Sequence, residues 1–441
     1  MHRALFGPAL STVLALLIPL GVPGRAHAQK PACPGPAALT GDMPLPLSAV
    51  RYLADDALEG RLAGSAGERC AGDYIAAEFE RLGLRPSGEG ATYFQSVPLA
   101  SILNPHAPGG TGRNVMGAIE GADPVRAGEW VVIGAHYDHL GDGGGPNSLA
   151  PGTRAIHNGA DDNASGVAAL LEIARTLAAR RDELRGAVVF AAFAGEELGL
   201  LGSSRLVKSP PTGLEPARLA AMLNLDMVGR LRDERLTVFG VDTAAEWGEL
   251  VSSACARARL ECKQNGDGYG PSDHTAFYAA DVPVLHFFTG VHDQYHRPSD
   301  DAPLLNATGG ARVAALVADL ALQVSHRDER LAVVRAAAPP PSGDVRSFGA
   351  SLGTIPDYSG PPEGKTGMPL AGVRPDGPAA RAGLRRGDLI VGLAGREIRS
   401  IEDLMFVLRQ SHPGEAAMVV VERDGERLEL PIVFGEATRR N

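Results

Sequence analysis

The sequence predicts an α/β fold with a mostly parallel central sheet and helices on both faces, followed by a small β-rich domain. Near-continuous apolar runs alternate with helical patterns up to about residue 335, which is typical of a buried parallel sheet. A stiff proline-rich linker, AAAPPPSG at residues 336–343, then breaks this alternation. With 441 residues and 44% hydrophobic content, the chain can bury one large core and a second, smaller one.

Residues 1–28 are predicted to be a secretory signal peptide. Arg3 precedes an apolar stretch, and the small-x-small sequence Ala26-His27-Ala28 is typical of a cleavage site. The apolar stretch is short for a membrane span, although an uncleaved anchor is the alternative. We therefore expect an exported protein, periplasmic or extracellular, that keeps no stable membrane span after cleavage.

Charge and cysteine content limit the partners and the compartment. Loss of residues 1–28 would leave 40 basic against 52 acidic residues and change the net charge from −10 to −12. An acidic chain without a basic run is not expected to bind nucleic acid. An oxidising compartment would allow the four cysteines to pair. Proximity favours Cys33 with Cys70 and Cys255 with Cys262, but the sequence leaves the connectivity open.

The first domain, residues 29–335, opens with two helical patterns at residues 47–58 and 66–82. Strands are then predicted at residues 130–135, 187–193, 220–225, 236–239 and 282–288, and helices at residues 164–179, 243–259 and 310–324. In such sheets ligands bind beyond the carboxyl ends of the strands. His136, Glu196 and Asp226 each follow one of these strands directly or closely.

Five short segments at strand ends and helix starts carry acidic residues or histidine. They are AHYDH at residues 135–139, GADDN at 159–163, GEE at 195–197, NLDM at 224–227 and YHRP at 295–298. Carboxylates and imidazoles are ligands that suit zinc or a related divalent cation. Together the five segments predict one binuclear metal site.

His136 alone could be a core histidine. Asp161 and Asp162, which precede the helix predicted at residues 164–179, could simply cap that helix. Asp138 favours a functional interpretation, because residues two apart in an extended segment share a face. Its carboxylate could then accept the second N–H of the His136 ring. Asp161 lies just before a helix, where the helix dipole favours a charged carboxylate that could bridge two cations.

Glu196 and Glu197 could be acids of a solvated loop, but adjacent side chains at a strand end diverge. One of them could bind a metal while the other takes a proton from water. Asp226 follows an apolar strand, where an unpaired acid would be costly. His296 is followed by Asp300, which could orient its imidazole.

The five segments in this order resemble the M28 metallopeptidases, a family of co-catalytic zinc aminopeptidases. LEGRLAGS at residues 58–65 and IHNGADDNASG at residues 156–166 also resemble stretches of that family, and the similarity spans roughly residues 46–325. The resemblance implies two Zn²⁺ ions, with Co²⁺ or Mn²⁺ as alternatives. It assigns their ligands, with Asp161 as the bridge, to His136, Asp161, Glu197, Asp226 and His296.

The resemblance also implies roles for neighbouring residues. Glu196 would be the general base, Asp138 the partner of His136, and Tyr295 a group that stabilises the oxyanion. A cis peptide would join Asp161 to Asp162. The segment at residues 272–274 would support the site from outside. The remaining histidines of this region, which we interpret as structural, are His139, His157, His286 and His292.

The implied activity is that of an aminopeptidase acting on peptides with free N-termini. Glutaminyl cyclases share the fold, but they use one zinc ion and carry tryptophan where this chain has Tyr295. Because the fold is shared, a glutaminyl-cyclase-like relative stays an alternative despite these two differences. A second alternative is a non-catalytic scaffold that binds peptides through the C-terminal domain.

The C-terminal domain, residues 344–437, resembles a PDZ domain in the sequences GVRPDGPAA at residues 372–380 and GLRRGDLI at residues 383–390. A strand is expected at residues 389–393 and helices at residues 379–383 and 401–409. Such domains bind peptide C-termini by adding a strand to a sheet edge. The expected carboxylate-binding loop, SLGT at residues 351–354, has threonine where an apolar residue is usual, so a docking or stabilising module is the alternative.

Overall fold

The computed structural model describes residues 1–2, 33–43, 46–99, 110–335, 350–356 and 361–436, except for the single residues 124, 127, 146, 151, 267, 269, 271, 363, 375 and 400. Residues 3–28 of the expected signal peptide and the linker at residues 336–343 lie outside the described residues. Two disulfides, Cys33–Cys70 and Cys255–Cys262, are formed, and they are the pairs that proximity in sequence favours.

Nine strands of the described chain form one sheet. They are β1 (Arg85–Pro86), β2 (Phe94–Pro98), β3 (Thr111–Ile119), β4 (Trp130–His136), β5 (Ala187–Phe193), β6 (Leu219–Leu225), β7 (Arg235–Phe239), β8 (Glu261–Asn265) and β9 (Val284–Phe288). Their order is β1-β3-β5-β4-β6-β9-β7-β8, with β2 beside β3. The four central strands β5, β4, β6 and β9 run parallel, whereas β3 and β7 pair antiparallel with them. The sheet is therefore mixed, with a parallel centre.

Helices cover both faces of this sheet. They are α1 (Pro36–Thr40), α2 (Leu47–Leu53), α3 (Ala66–Arg81), α4 (Gly166–Ala179), α5 (Leu201–Lys208), α6 (Trp247–Ala258), α7 (His274–Tyr278) and α8 (Ala307–His326). Apolar residues of α3, α4, α6 and α8 share one core with the sheet, and those of α5 and α7 share the other. Among the described helices, α8 is long and apolar enough to cross a membrane, but more than half of it is buried against the protein.

The central strands form where the sequence is continuously apolar. Every residue of β4, β5 and β6 is buried, as expected for strands covered on both faces. Helix α3 begins where the Ser65 hydroxyl accepts a hydrogen bond from the N–H of Glu68 at 3.1 Å. Helix α4 begins two residues later than the sequence predicts, because the backbone at Asp162 and Asn163 is not helical.

The C-terminal domain has its own sheets and core. Its strands are β10 (Ala350–Ser351), β11 (Thr354–Pro356), β12 (Met368–Val373), β13 (Leu389–Leu393), β14 (Arg396–Glu397), β15 (Ala416–Arg423), β16 (Glu426–Val433) and β17 (Gly435–Glu436), and its helices are α9 (Pro378–Arg381) and α10 (Ile401–Gln410). Strands β11-β12-β13-β15-β16 form one antiparallel sheet with β11 at its edge. Buried Asp388 anchors the start of β13 through two 2.7 Å contacts with the Arg423 guanidinium.

Candidate metal centre

The carboxyl ends of the parallel strands meet at one edge of the sheet, and the candidate ligands lie there. His136 is the last residue of β4, Glu197 lies in the loop after β5, and Asp226 follows β6 directly. His296 lies in the loop after β9. All four side chains are largely or wholly removed from solvent. The fold therefore gathers these four predicted residues in one buried site.

Asp162 lies between the two histidines. One of its carboxylate oxygens, Oδ1, is 3.3 Å from Nε2 of His136, and the other, Oδ2, is 3.1 Å from Nε2 of His296. Nε2 of His136 is also 3.4 Å from Oδ1 of Asp226, and Nε2 of His296 is 3.3 Å from Oε1 of Glu197. A single carboxylate thus joins two His–carboxylate groups, which is the arrangement a bridging ligand requires.

The expectation that Asp161 is the bridge does not agree with this geometry. Oδ1 of Asp161 accepts hydrogen bonds from the N–H of Gly229 at 2.7 Å and from the hydroxyl of Ser165 at 2.9 Å. Its Oδ2 is 3.2 Å from Nε2 of His292. The side chain therefore points to the loop after β6 and the start of α4, while the next residue, Asp162, points to the site.

The peptide bond between Asp162 and Asn163 is cis, one position later than expected. Asp300 accepts hydrogen bonds from the N–H groups of both Asp161 and Asp162 through Oδ2, at 2.9 and 3.1 Å. It does not orient His296, whose Nδ1 instead lies 2.8 Å from the backbone oxygen of Asn147. Asp300 therefore positions the segment that carries the bridge.

Asp226 is held in place by the segment at residues 272–274. Its Oδ2 accepts a hydrogen bond from the Ser272 hydroxyl at 2.9 Å, and the Asn224 amide donates to the same hydroxyl at 2.8 Å. Oδ1 of Asp226, which faces His136, is buried and accepts no hydrogen bond from the described residues. A buried carboxylate oxygen beside an imidazole nitrogen suits a cation.

His139 also enters the site, although its sequence context favours a structural interpretation. Its Nδ1 is 3.0 Å from Oε1 of Glu197 and 3.9 Å from Oδ2 of Asp162. His139, Asp162 and Glu197 together could hold a metal ion, as could His136, Asp162 and Asp226. No spacing rule identifies His139, because the contact joins residues 58 positions apart.

The polar contacts shift the pKa values of the histidines and of Asp162 in opposite directions. Burial alone would lower the pKa of His136 and His296, but neighbouring carboxylates raise both pKa values well above the usual range. Burial would raise the pKa of Asp162, yet its hydrogen bonds with the same two imidazoles hold it well below the usual range. In the metal-free protein the imidazoles are therefore protonated and Asp162 is ionised at neutral pH.

Glu196 and Asp138 lie beside this group. Oδ1 of Asp138 accepts a hydrogen bond from the N–H of Glu196 at 3.1 Å, and it is 3.8 Å from Nδ1 of His136. The nearer partner of that nitrogen is the backbone oxygen of Asp138, at 3.2 Å. Asp138 thus contacts the His136 ring mainly through its backbone oxygen. Its carboxylate binds the main chain of Glu196 and so holds the segment that carries Glu196 and Glu197. Burial raises the pKa of Asp138 to about 7.

Tyr295 and the remaining histidines surround the site. The Tyr295 ring stacks on the His296 ring with centroids 3.9 Å apart. His157 contacts the Ser148 hydroxyl at 2.9 Å, and His286 contacts the Asn224 amide at 3.1 Å. His292 lies beside Asp161. In the described part of the chain, none of these three histidines forms an ion pair with Asp162, Glu197 or Asp226, and His292 lies between Asp161 and Asp300.

The comparison with protein families agrees with this site. Residues 114–321, which contain every residue of the site, match the model of peptidase family M28. The resemblance of this part of the chain to peptidase family M28 is therefore confirmed. Residues 370–423 match the model of a PDZ domain, which confirms the second resemblance.

The M28 domain has relatives in fungi and bacteria. It is 32% identical over 257 residues to a probable zinc metalloprotease of Leptosphaeria maculans, covering 55% of this chain and 54% of the relative. It is 31% identical over 199 residues to the aminopeptidase YwaD of Bacillus subtilis, covering 43% and 40%. The chain spans about half the length of the first curated relatives it matches.

The fold of the M28 domain is also known from solved structures. A Zn-dependent exopeptidase from Parabacteroides distasonis superposes with a TM-score of 0.51 at 21% identity, covering 66% of this chain and 99% of that one. At this identity the similarity establishes the fold and not the activity. The predicted α/β architecture with helices on both faces is therefore confirmed.

Adjacent aspartates allow a matched test of the bridge. Asp162→Asn should abolish the binding of both metal ions, because it removes the charge that both His–carboxylate groups share. Asp161→Asn should keep both ions and lower only thermal stability, since its bonds go to Gly229 and Ser165. Metal content by mass spectrometry after dialysis against zinc measures the difference. The reverse pattern would restore Asp161 as the bridge.

Zinc affinity should rise with pH. The raised pKa values mean that His136 and His296 hold protons in the metal-free protein at neutral pH, and zinc binding must displace them. We expect the affinity at each ion to increase by up to about tenfold per pH unit between pH 6 and pH 8. Competition with a chromogenic chelator, corrected for protonation of the chelator itself, provides the measurement. A flat profile would contradict the protonation states described above.

Proposed function

We propose that this protein is an exported binuclear zinc aminopeptidase, which removes N-terminal residues from peptides. The observation that carries the proposal is the position of Asp162, whose two oxygens face imidazoles of two separate His–carboxylate groups. The match of residues 114–321 to peptidase family M28 and the similarity to an aminopeptidase support the same activity. Co²⁺ or Mn²⁺ are the alternative cations for such a donor set.

The residues divide between two ions. His136, Asp226 and Asp162 would hold one, and Asp162, Glu197 and His296 the other. We prefer His296 to His139 for the second ion because Nε2 of His296 is within 3.3 Å of both carboxylates. The contact of its Nδ1 with the Asn147 carbonyl leaves Nε2 free of a proton when a metal binds. His139 would then donate a hydrogen bond to Glu197.

When bound, the ions would acidify water and polarise the scissile carbonyl. Glu196 would accept a proton from the attacking water and deliver it to the departing amine. Its main chain is fixed by Asp138, so its position relative to His136 is set by the fold. Tyr295, stacked on His296, would donate a hydrogen bond to the developing oxyanion. The many carboxylates of the site favour a substrate with a free α-amino group.

The rest of the chain suits an exported enzyme with a peptide-binding module. Two disulfides are compatible with an oxidising compartment, periplasmic or extracellular. Strand β11 lies at the edge of its sheet, where a peptide C-terminus could add a strand. The PDZ domain would then recruit peptides to the M28 domain.

Hydrolysis of a panel of aminoacyl-4-nitroanilides tests the activity directly. We expect turnover that a chelator abolishes and that zinc restores, together with no release from N-acetylated versions of the same substrates. An inert protein that contains two zinc ions would leave a non-catalytic peptide-binding role. Cyclisation of N-terminal glutamine without hydrolysis would favour the glutaminyl cyclase alternative.

Two neighbouring glutamates separate catalysis from metal binding. Glu196→Gln should retain both zinc ions and lose at least about a hundredfold in kcat, because only the proton acceptor is removed. Glu197→Gln should lose zinc as well as activity, because it removes a carboxylate that faces His296. Zinc content and kcat measured on the same preparations distinguish the two roles. Full activity of Glu196→Gln would contradict its role as the base.

A further inference from the structure

Arg61 is a buried cation whose hydrogen bonds all go to the main chain. Its side chain is wholly removed from solvent. Nε donates to the carbonyl of Tyr137 at 2.8 Å, Nη1 to that of Asn158 at 2.7 Å and to that of Leu53, and Nη2 to that of Gly159 at 3.1 Å. Four of the five N–H groups of the guanidinium are thereby used. Within the described chain, no carboxylate lies at ion-pair distance from it.

Three of the four carbonyls that Arg61 binds belong to two segments of the metal site, and the fourth is that of Leu53, the last residue of α2. Tyr137 lies between His136 and Asp138, whereas Asn158 and Gly159 lie just before Asp162. These segments are about twenty residues apart, and no strand pairing joins the second of them to β4. The planar guanidinium therefore fixes the distance between the residue that ends β4 and the loop that carries the bridge.

The main chain around Arg61 is joined to the same region. The N–H of His139 donates to the carbonyl of Arg61 at 3.2 Å, and the N–H of Gly141 donates to that of Gly60 at 3.0 Å. Gly60 has φ +68°, and a β-carbon there would lie 2.5 Å from the oxygen of Gly141 and 2.6 Å from that of His157. The segment LEGR thus fits its place only with glycine before the arginine.

The charge of Arg61 also acts on the site. Burial lowers its pKa and the nearby carboxylates, Asp138 and Asp162 foremost, offset part of the shift; the resulting pKa of about 10 keeps the group cationic at neutral pH. The site holds many more buried carboxylates than buried cations when no metal is present. The fixed positive charge of Arg61, which interacts with Asp138 and Asp162, offsets part of their mutual repulsion.

We infer that Arg61 is a positioning residue of the metal centre, which holds the His136 and Asp162 segments at binding distance before any metal arrives. This inference rests on the metal centre proposed above. Without the guanidinium the two segments would separate, because the donors that join the Tyr137 carbonyl to those of Asn158 and Gly159 would be lost, together with a buried positive charge.

Arg61→Lys keeps the charge but cannot bind four carbonyls at once, and Arg61→Met removes both functions. Arg126→Lys is the matched control, because Arg126 is also buried and binds a backbone carbonyl, that of Asp328 at 2.6 Å, away from the metal centre. We expect Arg61→Lys to weaken zinc affinity by about ten- to a hundredfold and to change the visible spectrum of the Co²⁺ form. Arg126→Lys should lower thermal stability alone.

A purely structural role for Arg61 makes a different prediction. Arg61→Lys would then melt at a lower temperature with unchanged zinc affinity and an unchanged Co²⁺ spectrum, and this result would overturn the inference. Failure of the wild-type protein to bind two zinc ions would instead reject the metal centre itself.

Hydrogen exchange of the wild-type protein tests the inference without a substitution, and it decides the matter if the Arg61 variants do not fold. The N–H groups of His139 and Gly141, which donate to the carbonyls of Arg61 and Gly60, should already be protected in the metal-free protein. Zinc should change their protection less than tenfold. Full exchange until zinc is added would show that the metal, and not Arg61, assembles these segments.

Discussion

The shared carboxylate of Asp162 is the contact on which the rest of the site depends. Its position between His136 and His296 is maintained by groups that never touch either imidazole. Asp300 binds the N–H of Asp162, and Arg61 binds the carbonyl of Gly159 upstream. Downstream, the Asn163 side chain donates to the carbonyl of Leu225 and accepts from the N–H groups of Gly166 and Met227. The bridge is therefore tied both to α4 and to the end of β6.

The same degree of burial produces opposite titration behaviour in different imidazoles of this domain. His274 and His286 stack with ring centroids 4.5 Å apart, and burial lowers the pKa of His286 to about 4 and that of His274 well below its usual range. Carboxylates surround His136 and His296 and reverse the effect of burial. His274 and His286 stay neutral and pack near Asp226 without adding charge. The protonated rings of His136 and His296 offset part of the negative charge of the carboxylates, and a metal cation would replace their protons.

Periodicity and apolar runs were sufficient to predict the sheet centre, because β4, β5 and β6 are buried on both faces and therefore uniformly apolar. They were insufficient for β3, which carries polar residues. Its Asn114 is buried and binds Gln95 and the carbonyl of Gly202, contacts that no local pattern contains. Four of the five expected ligands, His136, Glu197, Asp226 and His296, lie together because strand ends fix them.

The error by one residue at Asp161 has a physical cause. Two identical acids are adjacent in an irregular turn whose backbone leaves the helical region at Asp162, so no periodicity indicates which carboxylate faces the site. The answer depends on Gly229 and Ser165, which bind Asp161 and turn it away. The same reasoning applies to Asp300, which lies near His296 in the sequence, whereas its carboxylate accepts hydrogen bonds from main-chain N–H groups 139 and 138 positions away.

The donors of this centre come from connections that follow four different strands, spread over 160 residues of sequence between His136 and His296. Any fragment that contains them all must span at least residues 136–296, about half of the domain. A chain still emerging from a ribosome or crossing a membrane unfolded would hold only scattered, weak chelating groups. The proposed centre would then take up metal only after the sheet has formed, from the ions present in the compartment where the domain folds.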